Sequence, residues 1–155
     1  MGQVTQTNFG LVTRKTWTNA QVIAWQTTPL VIQAGIPGKV ILPERIVMTL
    51  DPWVADYGAI NVAAAITMTH AGAASTTLEV TINTGEITLL LAAGTARFLS
   101  SGVSRIADNP INITGLAVQL QLANGGGNLT GGNAGNVFRT RFHFSTYSPL
   151  EGSST

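Results

Sequence analysis

The chain has 155 residues, with eight Lys and Arg, seven Asp and Glu and two His, which gives a formal net charge of +1. This length predicts a single domain that can bury a hydrophobic core. The balanced charge argues against nucleic acid as the main partner, because phosphate binding requires clustered Lys and Arg. Cysteine is absent, which excludes disulfides and thiolate metal sites, and the lack of a run of about 18 apolar residues argues against a membrane segment.

Charged residues make up 10% of the chain and hydrophobic residues 45%, whereas ordinary soluble domains carry about 25% charged residues. A monomer in water usually relies on surface charge to stay dispersed. We therefore expect much of the surface to be covered in an obligate oligomer. The alternative is a neutral surface of Thr, Asn, Ser and Gln, which the sequence also contains in quantity.

The first 15 residues are polar and mixed, but they include four larger apolar residues: Val4, Phe9, Leu11 and Val12. This N-terminal arm (residues 1–15) is expected to form either a disordered tail or a segment that becomes ordered against a neighbouring subunit. Immediately after it, Thr18 and Gln21 have the spacing of a capping box, which predicts one or two helical turns over Ala20–Trp25.

Two strands, Leu30–Ala34 and Lys39–Leu42, are predicted next, and the turn residues Gly35–Gly38 between them favour a β-hairpin. The chain then continues extended over Glu44–Leu50, before an aromatic loop at Trp53–Gly58. This hairpin is expected to organise the remaining strands.

The clearest alternation lies in Ile60–His70, whose even-numbered residues up to Met68 are apolar and are expected to face the core. A short link predicts a hairpin to a strand over Leu78–Asn83, and a Thr-Gly turn leads to another strand at Ile87–Leu91. The leucine run also allows a helix, but the flanking Gly94 and the Thr-rich context favour a strand.

A turn is predicted at Asp108–Pro110, a strand at Ile111–Ala123 and a flexible glycine-rich loop at Asn124–Asn136. The last strand, Val137–Tyr147, places Phe138, Phe142 and Phe144 inward and Arg139, Arg141 and His143 outward. The whole order predicts an all-β, single-domain β-sandwich or jelly roll of about eight strands over residues 16–147, followed by a polar tail at 148–155.

Residues that commonly carry chemistry are few and scattered. His70 and His143 are expected to be solvated or hydrogen-bonded at the surface rather than metal-bound. The acidic residues that were considered as a catalytic pair lie at turns and strand edges: Asp51, Asp56, Glu79, Glu86 and Asp108. No Gly-x-Ser-x-Gly elbow is present. The sequence therefore predicts no catalytic residue, no metal site and no cofactor.

Several short motifs follow one another between Thr16 and Tyr147, and they are Ala20-Gln21-Val22-Ile23, Thr27-Thr28-Pro29, Ala34 with Pro37-Gly38-Lys39, Tyr57-Gly58, Asn109-Pro110-Ile111 and Asn128-Leu129-Thr130-Gly131-Gly132-Asn133. Their order resembles that of small virion proteins of tailed bacteriophages, of the capsid decoration (cement) or head-ornament type. The resemblance covers most of the chain but does not include the N-terminal arm, so the mode of attachment does not follow from it.

The resemblance implies a non-catalytic structural protein on the outer surface of the virion capsid, with the major capsid protein as its partner and a homotrimer as its oligomeric state. The residues expected to contact the capsid or a sister subunit are Phe9, Leu11, Trp17, Glu44, Arg45, Trp53 and Tyr57. Core packing is an equally weighted alternative for Trp17 and Trp53.

Two other functions are considered. The first is the receptor- or glycan-binding tip of a phage fibre or spike, which would use Trp53, Tyr57 and the Asn124–Asn136 loop. The second is a glycan-active hydrolase, which has the least support because no carboxylate pair is visible in the sequence.

Overall fold

The computed structural model describes residues 8–72, 77–94, 97–102 and 113–148. The described ranges contain two short α-helices, α1 (Asn19–Ile23) and α2 (Thr84–Leu91), and a 3-10 turn over Ala24–Gln26. They also contain ten strands, which in chain order are β1 (Asn8–Trp17), β2 (Leu30–Gln33), β3 (Val40–Leu50), β4 (Tyr57–Gly58), β5 (Ala65–His70), β6 (Thr77–Ile82), β7 (Arg97–Gly102), β8 (Val118–Ala123), β9 (Thr130–Gly131) and β10 (Phe138–Tyr147).

These strands form three antiparallel sheets. The first sheet has the order β1-β10-β3-β7, the second has the order β2-β8-β5-β6, and β4 pairs with β9 in a small two-stranded sheet. Residues of both larger sheets meet in one hydrophobic cluster, whose fully buried members include Trp25, Ile46, Met68, Leu120 and Phe142. The predicted all-β class is therefore confirmed.

The alternation predicted for the last strand is confirmed in β10. Phe138 and Phe142 are fully buried, while Arg139 and Arg141 between them are exposed. Because successive side chains of a strand point to opposite faces, this pattern places one face of the first sheet on the core and the other in solvent.

The predicted hairpin at residues 30–42 is wrong. β2 and β3 do occupy the expected positions, but β2 pairs with β8 and β3 pairs with β10 and β7, so the two strands belong to different sheets. The connection between them packs against Gly115: the Gly115 N–H donates to the Lys39 carbonyl oxygen at 2.8 Å. The turn residues therefore carry the chain from one sheet to the other.

The strand predicted over Ile60–His70 begins only at Ala65. Asn61 precedes a tight turn, in which its Oδ1 accepts a hydrogen bond from the Ala63 N–H at 2.9 Å. This local side-chain bond competes with strand pairing, and it leaves Val62 92% exposed instead of facing the core. The β5–β6 hairpin that was predicted after this strand is confirmed.

The strand predicted over Ile87–Leu91 is also wrong, because these residues belong to helix α2. Asn83 caps the helix by accepting from the Glu86 N–H, and the Glu86 side chain accepts from the Asn83 N–H. Ile87, Leu90 and Leu91 are buried at helical spacing. The helix thus allows the polar groups at its N-terminus to be hydrogen-bonded and its apolar side chains to be buried.

The first turn of α1 has the predicted capping box between Thr18 and Gln21. Asn8–Trp17 forms β1 and pairs with β10 of the same chain, so the boundary predicted after residue 15 falls inside a strand. Residues 1–7, the predicted turn at Asp108–Pro110 and residues 149–155 lie outside the described ranges.

The glycine-rich segment Asn124–Asn136, predicted to be a flexible loop, is held by hydrogen bonds at its two end residues. Both end asparagines are buried. Asn124 accepts a hydrogen bond from the Asn61 N–H at 2.8 Å and donates to the Ala59 carbonyl oxygen at 2.8 Å. Asn136 makes similar bonds to the backbone of the aromatic loop that precedes β4.

Candidate functional site

Three strands of the first sheet present a common face on the side away from the core. Phe138 and Phe142 of β10 point into the core, so Arg139 and Arg141 point outward. Residues directly opposite each other on paired strands lie on the same face. The outward residues of β1, β10 and β3 therefore form three rows, which are Val12–His143–Arg45, Arg14–Arg141–Val47 and Thr16–Arg139–Thr49. We call these nine residues the arginine face.

The arginine face gathers positive charge in a chain that has few charged residues. It carries four of the six arginines of the sequence, and none of its nine members is Asp or Glu. Arg14, Arg139 and Arg141 are exposed and line a shallow groove, together with Thr16, Val47 and Thr49. The face is thus a cationic surface on which apolar and hydroxyl-bearing side chains stand between the arginines.

Arg14 and Arg141 lie directly opposite each other in the β1–β10 pairing. Neither side chain makes an ion pair or hydrogen bond with another residue of the described ranges. Like charges in this position are unfavourable by roughly 0.2–1 kcal/mol. Arg139 differs, because its Nη1 donates to the Asp51 carbonyl oxygen, which holds the guanidinium at the end of the groove.

Three of the predicted contact residues lie on β1. The side chain of Trp17 is only 7% exposed, and its Nε1–H donates to Thr140 Oγ1 at 3.0 Å. Leu11 is half-buried and packs against the hydrophobic cluster. Phe9 lies in the same strand, next to its first residue. Of the two interpretations weighed for Trp17, core packing is the one observed.

Glu44 and Arg45 are both exposed on β3, at the point where its register with β10 shifts between His143 and Phe144. This irregularity is a β-bulge, which re-aims neighbouring side chains. Of the seven predicted contact residues, Arg45 belongs to the arginine face and the other six do not. The contact roles predicted for these seven residues stay predictions.

Trp53 and Tyr57, the predicted aromatic contacts of the loop, are both engaged within the chain. The Trp53 indole N–H donates to Asp56 Oδ1 at 2.9 Å, and the same oxygen accepts from the Gly94 N–H at 2.9 Å. Tyr57 is 1% exposed, and burial raises the pKa of its hydroxyl, with the neighbouring Asn136 side chain opposing this only in part. The hydroxyl has no well-formed hydrogen bond to another described residue.

Sequence reasoning identified the β10 residues of the arginine face but missed those of β1. The predicted N-terminal arm includes Arg14, although Val12, Arg14 and Thr16 alternate with Thr13, Lys15 and Trp17. That period of two is typical of a strand with one solvent-exposed face. The alternation was the available signal for a strand in this segment.

The two histidines occupy different environments. His143 is half-buried on the arginine face, whereas His70 is 1% exposed, so the prediction that His70 lies at the surface is wrong. In the described ranges, no group of three or more His, Asp or Glu side chains is arranged to hold a metal ion. None of the helices described there has the length and apolar character needed to cross a membrane.

The chain was compared with protein families, with curated proteins and with solved structures, and no match was found in any of the three comparisons.

Proposed function

We propose that this protein is a non-catalytic structural component of a bacteriophage virion, which decorates the outer surface of the capsid and stabilises it by binding the major capsid protein as a homo-oligomer. The observation that carries the proposal is the arginine face: a chain with 10% charged residues gathers four of its six arginines on one sheet surface. A protein of this kind needs a localised docking surface and no reaction centre.

Binding alone can supply the stabilising effect. A protein that binds one state of the shell and not the others stabilises that state by mass action. Many copies on one particle add their individual contributions, so each contact can be weak. This thermodynamic role requires neither a cofactor nor a catalytic group.

We infer that the two larger sheets pack face to face as a β-sandwich. In support, Trp25 stands between them: its ring lies 5.5 Å from that of Phe138, and its Nε1–H donates to the Leu120 carbonyl oxygen at 2.9 Å. Leu120 belongs to the second sheet and Phe138 to the first. A compact double-layer domain of this kind suits stacking on a shell.

The oligomer is proposed to use neutral polar contacts with a few apolar ones. Few large apolar side chains are exposed in the described ranges. They lie on strands, loops and helix α2: Val12, Val54, Val62, Leu89 and Tyr147. Residues 1–7 precede β1, which is an edge strand, and this position suits an arm that adds to a neighbouring subunit.

The receptor- or glycan-binding alternative is less well supported. It relied on Trp53, Tyr57 and the glycine-rich loop as a presenting surface. The Trp53 N–H is engaged by Asp56, Tyr57 is buried, and the loop ends are fixed by buried asparagines. These contacts favour a structural role for all three elements.

The proposal is tested by mixing the purified protein with emptied, expanded capsids of the source phage and sedimenting the particles. We expect the protein to co-sediment with the capsids and to have a solution mass about three times its 16.2 kDa chain mass by light scattering. Deleting residues 2–7, which leaves β1 intact, should weaken binding without changing the circular dichroism spectrum. A monomer that binds host cells and not capsids would contradict the proposal.

A further inference from the structure

We propose that the arginine face is a docking surface for a carboxylate-rich protein surface. That this carboxylate-rich partner is the outer surface of the capsid shell rests on the proposed function. The recognition chemistry is a property of the face itself, and it can be tested with or without a capsid.

The first step is the unfavourable charge arrangement that the free protein carries. Arg14 and Arg141 face each other across paired strands, and neither makes an ion pair with the described residues. An anion placed between them would remove the repulsion and gain two attractive contacts. The face therefore favours binding of negative charge at this row.

The second step is the kind of anion. A guanidinium presents a planar fork of donors, which matches the two oxygens of a carboxylate. Arg139 is already oriented by its bond to the Asp51 carbonyl oxygen, and none of its other N–H groups bonds to a residue of the described ranges. Because a fixed donor loses less side-chain entropy on binding, this end of the groove is prepared for a bidentate contact.

The third step separates an acidic protein from a nucleic acid. None of the nine members of the face is Phe, Tyr or Trp, and the half-buried His143 is its one ring side chain, so it offers little surface on which successive bases could stack. Its four arginines stand beside Val12, Val47 and two threonines, and Lys15 of β1 also lines the groove. Arginine with apolar neighbours is typical of protein–protein interfaces.

The experiment measures binding of the full chain to two labelled probes of equal charge, a poly-glutamate peptide and an oligothymidylate, by fluorescence anisotropy at low salt. We expect the peptide to bind more tightly than the oligonucleotide. The double variant Arg14→Gln/Arg141→Gln should bind the peptide about tenfold more weakly or worse, because two charged hydrogen-bonding groups are lost.

Two further variants serve as controls. Arg141→Lys keeps the charge but loses the fork, so it should bind with intermediate affinity if bidentate contacts matter. Lys39→Gln removes one positive charge from a residue that bonds to Ser148, away from the face, and it should bind like the parent protein. Unchanged circular dichroism spectra confirm that each variant is folded.

Capsid co-sedimentation with the same double variant distinguishes the two proposals. If the parent binds capsids and the double variant binds them equally well, the docking surface is wrong and the proposed function stands. If the parent binds poly-glutamate through the face but does not bind capsids, the proposed function fails and the docking chemistry stands. Preference for the oligonucleotide, equal peptide binding by parent and double variant, or a self-association that the double variant abolishes would each overturn the inference.

Discussion

His70 on β5 and Ile41 on β3 connect the two larger sheets through the core. The Nε2–H of His70 donates to the Ile41 carbonyl oxygen, with 3.1 Å between the two atoms. The histidine is 1% exposed, and its Nδ1 has no partner among the described residues. A carbonyl can only accept, so Nε2 carries a proton, and the buried Nδ1 without a described partner favours the neutral ring.

This arrangement predicts a loss of stability in mild acid. Burial lowers the pKa of His70 from its ordinary value of 6.5, and the bond to Ile41 opposes the shift only in part. The unfolded chain therefore takes up a proton on this residue at a higher pH than the folded protein does. Its contribution to stability is present above the unfolded pKa and is lost as the pH falls towards the folded pKa. We expect the urea midpoint to fall between about pH 7.5 and about pH 5.

The variant His70→Gln isolates this effect, because its side-chain amide can still donate to the Ile41 carbonyl but does not titrate. Its urea midpoint should fall less over the same pH range. His143→Gln, which changes the half-buried histidine of the arginine face, should keep the acid sensitivity of the parent. Equal losses in the parent and in His70→Gln would show that another group is responsible.

The position of His70 also shows what the sequence could and could not predict. It alternates along β5 with the same spacing as Ile66 and Met68, so it lies on the face of the strand that was correctly expected to face the core. The general preference of histidine for the surface led to the opposite prediction for this residue. A buried histidine needs a polar partner, and Ile41 lies 29 residues away on another sheet. Such a partner follows from tertiary structure and not from local pattern.

Asn136 should be important for stability, because it bonds to the backbone of the aromatic loop. Its Oδ1 accepts from the N–H groups of Val54 and Ala55 at 2.7 and 3.1 Å, and its Nδ2 donates to the Ala55 carbonyl oxygen at 2.7 Å. Asn136→Ala leaves these groups unsatisfied and should cost about 2–4 kcal/mol by urea denaturation. Asn128→Ala, at an exposed position of the same loop, should cost less than about 0.5 kcal/mol. Similar losses in both variants would contradict this role.

Adjacent residues of β10 should respond very differently to truncation. Phe142 is fully buried, and its ring stacks on Phe144 at a centroid distance of 5.2 Å. Phe142→Ala should therefore cost about 3–5 kcal/mol in the free energy of unfolding. Arg141→Ala removes an exposed charge opposite Arg14 and should change stability by less than about 0.5 kcal/mol. Any gain from relieved repulsion should disappear in high salt, because salt screens exposed charges.

Helix α2 gives a direct test of the helical assignment over Thr84–Leu91. Asn83→Ala removes the capping side chain and should cost about 1 kcal/mol, whereas Asn83→Ser should keep most of the cap. Leu89→Gln, at a side chain that is 60% exposed, should change stability by less than about 0.5 kcal/mol. A large loss in Leu89→Gln with none in Asn83→Ala would favour a buried strand.

The strand pairings were less predictable than the strands themselves. Alternation identified β10 and the buried residues of β2 and β3, because side-chain period is a local property. Which strands pair depends on contacts between distant segments, such as the approach of Gly35 to Gly115. The arginine face was missed for the same reason, since Arg14 joins it only through the pairing of β1 with β10. The spacing of Asn83 and Glu86, in contrast, is a local signal for the start of helix α2.

Gly35 packs against Gly115 where the chain crosses between the two larger sheets, and this contact yields a last prediction. A Cβ atom on Gly35 would lie 2.0 Å from the Gly115 carbonyl oxygen, a backbone atom that cannot move aside alone. Gly35→Ala should therefore cost about 1–3 kcal/mol or more in the free energy of unfolding. Gly85→Ala is the matched control. Gly85 lies in α2, and a Cβ atom there would meet only Asn83 Oδ1, at 3.5 Å. Alanine there should stabilise the helix by about 0.5–1 kcal/mol. If residues 35–38 instead formed a simple exposed hairpin turn, Gly35→Ala would be nearly as well tolerated as Gly85→Ala.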